Sequence, residues 1–477
     1  MYKLLLILKY LRKRRIAWVS LIAVMLCTAM VLVVISVMGG WLRMFRESFH
    51  AMSGDVLVRG ESLTGFPHYE EMLIAIRQLP EVKAAVPVVK TFGLINVNNE
   101  IRRGVQVMGI PDDIGLVNNF KRTLHRRSAA TQPFALHRDI PYELHKPLTY
   151  RGDVRQWGGM IVGPGVIGLK KTEDGQVERF DRMYRVWVQL TVLPVTGYGG
   201  FDVSEKKEAP FWIVDDSRTQ VWQYDSDTVY VSLPVLQEML LMSAGEAERQ
   251  VDGRLEKVNI PARTSEIQIA VKEGYDLRTA KQKVKAAVDQ VTLSHGTTAA
   301  DQGLLLSGRF PYKVETWEEA NAIFLSAIEK EKVLVTFLFG IISVVAVFLI
   351  FCIFYMIVVE KTRDIGIVKS VGATSGGVAG IFLGYGAAIG IVGSALGLLA
   401  GWLVVSNINE LHRWLGEVLG VQIWDPKVYM FDTIPNTMNP SEVSVILFVA
   451  IVASLLGALV PAIRAARMHP VEALRWE

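Results

Sequence analysis

Four apolar runs constrain this chain more than anything else in it: Ala17 to Met38, about Val333 to Val359, Val378 to Ser406, and Val443 to Ile463. Each is long enough to cross a hydrocarbon core of ~30 Å, which takes about 20 residues of helix. A backbone in lipid has no water to satisfy its amides, so such runs must close their hydrogen bonds internally as helices. The expected class is an α-helical membrane protein with four transmembrane helices (17-38, 333-359, 378-406 and 443-463) and one large polar domain, 39-332, between the first two.

Charge sets the expected orientation. The segment 1-16 carries Lys3, Lys9, Arg12, Lys13, Arg14 and Arg15 and no acidic residue, which by the positive-inside rule places the N-terminus in the cytoplasm. Four spans return the C-terminal tail, 464-477, to the same side, where Arg464, Arg467 and Arg475 lie. Lys361, Arg363 and Lys369 put the connection 360-377 there too. The loop 407-440 instead has Glu410, Glu417, Asp425 and Asp432 against Arg413 and Lys427, and reads as exterior. Trp18 and Trp41 flank the first span as interface anchors do. That span is too long for a signal peptide and no small-residue cleavage pattern follows it, so a retained anchor is expected.

The polar domain is large enough to bury its own core. Its strand candidates DVLVRG, VKAAVPVVK, FGLINVN and RRGVQVMGI, with a helical face at Met72, Leu73, Ile76 and Leu79, form one strand, helix and strand group. TVYVSL with VLQEMLLM, and EIQIAVKEG with LRTAKQKVKAAVDQV and FPYKVET, form another. The pattern predicts an α+β domain interrupted by a strand-rich inserted lobe at about 118-225. A net charge of +4 spread along the chain argues against nucleic acid. Cys27 and Cys352 both fall inside spans, where small apolar packing is the simplest role, so the polar domain has no disulfide framework.

Several motifs lead nowhere. GPGVIG at Gly163 to Gly168 has the spacing of a dinucleotide fingerprint, but the LKKTEDGQ that follows opens no amphipathic helix to hold a phosphate, and Leu169 stands where a P-loop needs lysine. His125, His137 and His145 lack the spacing that puts two imidazoles on one helix face, so no metal site is expected. No serine sits in a GxSxG elbow. No catalytic constellation and no cofactor site is read, and the chain is not expected to be an enzyme.

Two further features concern packing and docking. In EKTRDIGIVKSVGA, Glu360 to Ala373, the charges of Glu360, Lys361, Arg363 and Asp364 can contact a soluble partner while Ile365, Ile367 and Val371 supply an apolar face. In the third span Gly386, Gly390, Gly393, Gly397 and Gly401 line one helical stripe that admits a close neighbour, either within this subunit, the simpler reading, or at a dimer face. Helix formers run without Gly or Pro from Trp317 into the second span, which predicts one rod from Trp317 to Glu360, about 43 residues and ~64 Å long.

These segments carry a resemblance. ETWEEANAIFLSAIEKEKV, EKTRDIGIVKSVGAT, the glycine-rich third span, RAARMHPVEALRWE, RRGVQVMGI, GGMIVGPGVIG and VWQYDSDTVYVSLPVLQEML together resemble the permease subunits of the bacterial lipoprotein-releasing ABC transporter, the LolC and LolE type, and more loosely the FtsX and MacB permease superfamily. Asn118 to Tyr150 and Gly197 to Pro210 match no family segment. The resemblance implies a cell inner membrane protein whose periplasmic domain has a porter-like lobe with an inserted second lobe. It implies a coupling helix, Glu360, Lys361, Thr362, Arg363, Asp364, Ile365, Gly366, Ile367 and Gly372, docked on a dimeric cytoplasmic ABC ATPase subunit. The implied partners are a second permease copy or paralogue, a lipoprotein substrate, a periplasmic lipoprotein carrier and membrane lipids. Lipoprotein entry between the first two spans implies an apolar wall at Val33, Val37, Val344 and Phe348. The expected function is lipoprotein extraction towards the outer membrane. The alternatives are a MacB-like permease for export and an FtsX-like regulator of a periplasmic hydrolase.

Overall fold

A computed structural model describes residues 15–62, 64–97, 101–125, 133–135, 148–150, 153–155, 158–169, 183–194, 206–219, 221–251, 254–295, 312–420, 424, 431, 433–469, 471 and 473. The chain divides into two compact units, one of Met1–Met44, Ile323–Trp424 and Thr433–Glu477, the other of Phe45–Ala322 and Asp425–Asp432. His137 and His145 lie outside the described residues, as does most of 118–150.

Among the described residues, four helices are long and apolar enough to cross a membrane: α1 (Arg15–Ser53), α6 (Ala322–Glu360), α8 (Ser375–Ser406) and α10 (Pro440–Arg467). Their starts follow capping chemistry. The Thr374 hydroxyl accepts from the Gly377 amide at 3.1 Å to open α8, and the Asn439 side chain accepts from the Ser441 amide at 3.1 Å with Pro440 next in line to open α10. The stretch 407–440, expected as a loop, carries helix α9 (Ile408–Leu419), whose Leu411, Trp414 and Val418 are exposed; their i, i+3 and i+7 spacing was its signal.

The rod expected from Trp317 to Glu360 is interrupted. The Thr316 hydroxyl accepts from the Glu319 amide while the Glu319 carboxylate accepts from the Thr316 amide, a capping box that starts the short helix α5 (Trp317–Ala320). Asn321 then leaves helical dihedrals, at φ −109° and ψ 18°, and its side-chain amide donates to the Trp317 carbonyl at 2.8 Å. An asparagine that binds its own backbone in this way competes with the helix, a cost the run of helix formers does not reveal.

The polar unit is built on antiparallel and parallel pairings of β1 (Val56–Gly60), β2 (Val82–Val97), β3 (Ile101–Ile110), β4 (Gly158–Val162), β5 (Trp187–Val192), β6 (Lys207–Asp216), β7 (Thr228–Ser232), β10 (Glu266–Val271) and β11 (Tyr312–Thr316). They follow the order β11-β1-β10-β2-β3-β7-β4-β6-β5. The hairpin β8 (Gly245–Val251) and β9 (Arg254–Ile260) forms its own small sheet.

Strand β2 belongs to two arrangements. Its first half pairs β10, with Val88 opposite Glu266, and completes an antiparallel sheet β11-β1-β10-β2. Helices α2 (Tyr69–Arg77) and α4 (Leu277–Ser294) pack on that sheet, burying Met72 and Ile76 with Val284 and Val288, while α3 (Leu233–Met239) follows β7. Its second half pairs β3 on one edge and β5 on the other, with Gly93 opposite both Val105 and Val192, so β2, β3, β7, β4, β6 and β5 close a ring. The ring is filled by Ile95, Val107, Met160, Leu190, Phe211 and Val229. VKAAVPVVK and FGLINVN, read as two strands, are one. RRGVQVMGI and TVYVSL lie in the ring, as β3 and β7.

GPGVIG finds a structural explanation. A Cβ at Gly163 would meet the Asp225 carbonyl oxygen at 2.4 Å, and the Gly165 amide donates to that same oxygen at 2.8 Å. The glycines let two backbones touch.

Candidate functional site

The segment after α6 folds as a two-turn helix, α7 (Thr362–Ser370), between Lys361 and Val371. The Thr362 hydroxyl donates to the Val359 carbonyl at 2.8 Å, reinforcing the turn out of α6. Beyond α7, Gly372 takes φ +106°, a backbone that L side chains rarely adopt, and the chain then enters α8.

The helix has two faces. Thr362, Ile365 and Gly366 are buried, with Ile365 in a cluster with Val358 of α6, Val378 of α8 and Ala465 of α10. Of the apolar face expected from Ile365, Ile367 and Val371, Ile365 thus packs into the bundle. Outward lie Arg363, Asp364, Ile367, Val368, Ser370 and Val371, with Val371 84% exposed. Val368 was not singled out from the sequence; its position next to Ile367 and three before Val371 was the available signal. Lys361 pairs with Asp364, and Glu360 closes α6. Lys369 reaches sideways, its ammonium donating to the carbonyls of Ala466 and Met468 at 2.7 Å each, at the end of α10. A lysine on the last carbonyls of a helix also complements its dipole.

The glycine stripe divides between two neighbours. Added Cβ atoms at Gly386 and Gly390 would meet Ala458 and Ser454 of α10 at 2.6 and 3.0 Å. At Gly393, Gly397 and Gly401 they would meet α1: Val24 at 2.9 Å, the Met25 carbonyl oxygen at 2.7 Å and Leu32 at 2.9 Å. All five are buried, and the Ser454 hydroxyl donates to the Gly386 carbonyl at 2.8 Å. One stripe thus holds two helices within this chain.

Within the same unit α1, α6 and α10 line a half-open apolar pocket of about 250 Å³, with Val31, Ile35, Phe339, Gly340, Ile350 and Val449 among its walls. None of Val33, Val37, Val344 and Phe348 lines it. Val344 and Phe348 are 68% and 64% exposed, and Val33 and Val37 half-buried. The helical period explains this: Phe337, Ile341, Val344 and Phe348 form one exposed stripe of α6, and Phe339, Gly340, Ser343 and Ile350 line the pocket from another side. At one end of the bundle Lys332 pairs with Glu442 at 3.2 Å and Arg43 donates to the Thr437 hydroxyl at 3.1 Å; elsewhere Arg464 binds the Tyr355 hydroxyl.

In the polar unit, the buried Glu266 accepts from Lys90 at 2.8 and 2.9 Å and from Arg59 at 3.1 Å. Burial pushes its carboxyl up, but Lys90 and Arg59 overcome that and hold it at about 2. The arrangement joins β1, β2 and β10.

The model for FtsX-like permease C-terminal matches residues 336–470, and that for MacB-like periplasmic core domain matches residues 17–134. The lipoprotein-releasing system transmembrane protein LolC of Xylella fastidiosa (strain 9a5c) is 32% identical over 179 residues, 38% of this chain and 43% of that protein. The lipoprotein-releasing system transmembrane protein LolE of Haemophilus influenzae is 31% identical over 130 residues, 27% of this chain and 31% of that protein. The match thus spans less than half the length of these curated relatives. The crystallised periplasmic region of MacB from Actinobacillus actinomycetemcomitans aligns with 59% of this chain and 97% of its own at 8% identity and a TM-score of 0.29, a likeness too slight to build on.

Proposed function

We propose that this chain, a relative of the LolC- and LolE-type permeases in the FtsX and MacB superfamily, is the permease subunit of an ABC transporter that extracts lipoproteins from the inner membrane for transfer towards the outer membrane. Its termini lie in the cytoplasm and a separate ATPase supplies the energy. One observation carries the coupling part of this reading. Helix α7 anchors Thr362, Ile365 and Gly366 in the bundle and turns Arg363, Asp364, Ile367, Val368 and Val371 outward. A short helix with a fixed inner face and an outer face of mixed charge and apolar side chains suits docking, because the apolar centre gives affinity and the charges give register.

The lipoprotein part rests on the likeness to the lipoprotein-releasing LolC and LolE proteins. Acyl chains leaving a bilayer need an apolar enclosure, at ~0.8 kcal/mol for each methylene kept from water. The pocket between α1, α6 and α10 supplies apolar lining, and Val33, Val37, Val344 and Phe348 would form the approach to it from the lipid.

The test takes the full chain coexpressed with the ABC ATPase of the same genome. Ile367→Asp and Val371→Asp, both exposed, should leave the chain folded and abolish copurification, and the permease alone should hydrolyse no ATP. Retention of the ATPase by the double variant removes α7 from coupling. Photocrosslinkers at Ile35, Phe339, Val37 and Val344 should then capture a triacylated lipoprotein without nucleotide and release it with ATP. Capture of phospholipid alone, with lipoprotein sorting intact after depletion, would favour the MacB-like export reading, which the match over 17–134 also supports.

A further inference from the structure

Helix α9 turns its apolar side chains outward, and none of its residues is buried. Three stripes run along it, each at i, i+3 and i+7. Leu411, Trp414 and Val418 are apolar and exposed, Trp414 at 57% and Val418 at 62%. Glu410, Arg413 and Glu417 are charged and exposed, whereas Asn409, His412 and Gly416 are half-buried. Asn409 fastens the half-buried stripe to the chain. Its side-chain amide donates to the Ile434 carbonyl at 3.0 Å, and its side-chain oxygen accepts from the Ile434 amide at 2.9 Å. The helix is thus held by a polar edge with its apolar stripe exposed, the reverse of what burial in water would select.

We propose that the apolar stripe of α9 lies in the interfacial layer of the bilayer, against phospholipid headgroups and the upper parts of the acyl chains. The inference needs only the membrane placement of the spans, and is independent of the cargo and of whether α7 docks an ATPase. Continuity supports it first. Only Asn407 separates α9 from α8; it leaves helical dihedrals, at φ −109° and ψ 18°, and its side-chain amide donates to the Leu403 carbonyl at 2.9 Å. Trp402 and Leu403, in the last turns of α8, are exposed. Apolar side chains exposed on a span are therefore followed directly by apolar side chains exposed on α9.

The far attachment supports it next. Ile434, which Asn409 grips, lies a few residues before Pro440, where α10 begins. Helix α9 is therefore leashed between the end of one span and the start of another. The ion pair of Lys332 with Glu442 and the bond from Arg43 to Thr437 flank that same start, as polar ties do where spans leave hydrocarbon.

Composition supports it third. Trp414 is a residue type enriched at the headgroup level. Glu410 and Glu417 against the single Arg413 give the charged stripe no basic excess, so insertion of apolar side chains, rather than attraction to anionic lipid, supplies the hold. Interfacial anchors set the tilt and rotation of a span. Anchoring α9 would accordingly fix the direction in which α8 presents its glycine stripe.

The experiment uses the full chain in phosphatidylcholine vesicles, with Cys27→Ala and Cys352→Ala as background. Leu411→Cys and Val418→Cys report the apolar stripe, and Glu410→Cys and Glu417→Cys the charged one, each labelled with an environment-sensitive fluorophore. All four side chains are exposed, so each variant should elute from a sizing column as the parent does. Phospholipid carrying a nitroxide near its headgroup should quench the labels at 411 and 418 several-fold more strongly than those at 410 and 417, and the emission of the first two should be shifted to the blue. Equal quenching on the two stripes would overturn the assignment. So would a photocrosslinker at Trp414 that captures a second copy of the chain while the labels at 411 and 418 stay unquenched, because a protein surface would then cover the stripe.

Discussion

The polar unit and the membrane unit solve opposite packing problems. Water drives apolar side chains inward in the polar unit, so the ring fills with Ile95, Val107, Leu190 and Phe211, and even a buried carboxylate is tolerated once Lys90 and Arg59 surround it. Lipid is as apolar as leucine and offers no such drive, so the helices are held by fit: five glycines of α8 against α1 and α10, and few polar ties such as Lys332 with Glu442. Volume decides in one unit what charge and burial decide in the other.

The comparison breaks most visibly at Gly397. Gly397→Leu drives a side chain into the Met25 carbonyl oxygen and Thr28, each 2.7 Å from the added Cβ, and should leave no monodisperse protein in a detergent extract run over a sizing column. Gly380→Leu on the same helix, whose Cβ meets nothing within 4 Å, should behave as the parent. Equal behaviour of the two variants would show that the stripe is not what holds α8.

Glu266 tests the other side. Its pKa falls from an ordinary 4.5 to about 2, so it contributes stability of the order of 3 kcal/mol that is fully present above pH about 4.5 and lost as pH falls towards 2. Glu266→Gln should lower the Tm of the polar unit's transition at neutral pH, and flatten its dependence on pH in the acid range. A parallel pH profile in variant and parent would refute the ion-pair account.

Smaller effects sharpen the contrast. Ser454→Ala removes the bond to the Gly386 carbonyl, and in a bilayer such bonds average only about 0.6 kcal/mol, so a small drop in Tm is expected. Phe348→Ala, on the exposed stripe, should change stability by less than about 0.5 kcal/mol. A large loss there would mean that Phe348 packs against something this chain does not itself provide.

What could be read from the sequence was local. A glycine every few residues fixes a stripe by helical geometry alone, and the charged segment after α6 had to be a short connection because two apolar runs enclose it. Long-range pairings escaped. Nothing near Asn409 points to Ile434, since only the folded segment joins them, and nothing in FGLINVN says that it continues VKAAVPVVK and closes a ring with a strand a hundred residues later. Ile365 escaped for a different reason: an apolar residue on an amphipathic segment shows that one face is covered, but not by which neighbour. Val344 and Phe348 show the same limit on α6, where apolar residues stand on every side.

The grip of Lys369 on the last carbonyls of α10 gives α7 a mechanical meaning. The peptide chain already fastens this short helix to α6 and α8, and the lysine adds a third tether. A push delivered to its outer face would be divided at once among three spans. It would move them as the fingers of one hand move with the palm, with α1 following through its glycine contacts with α8.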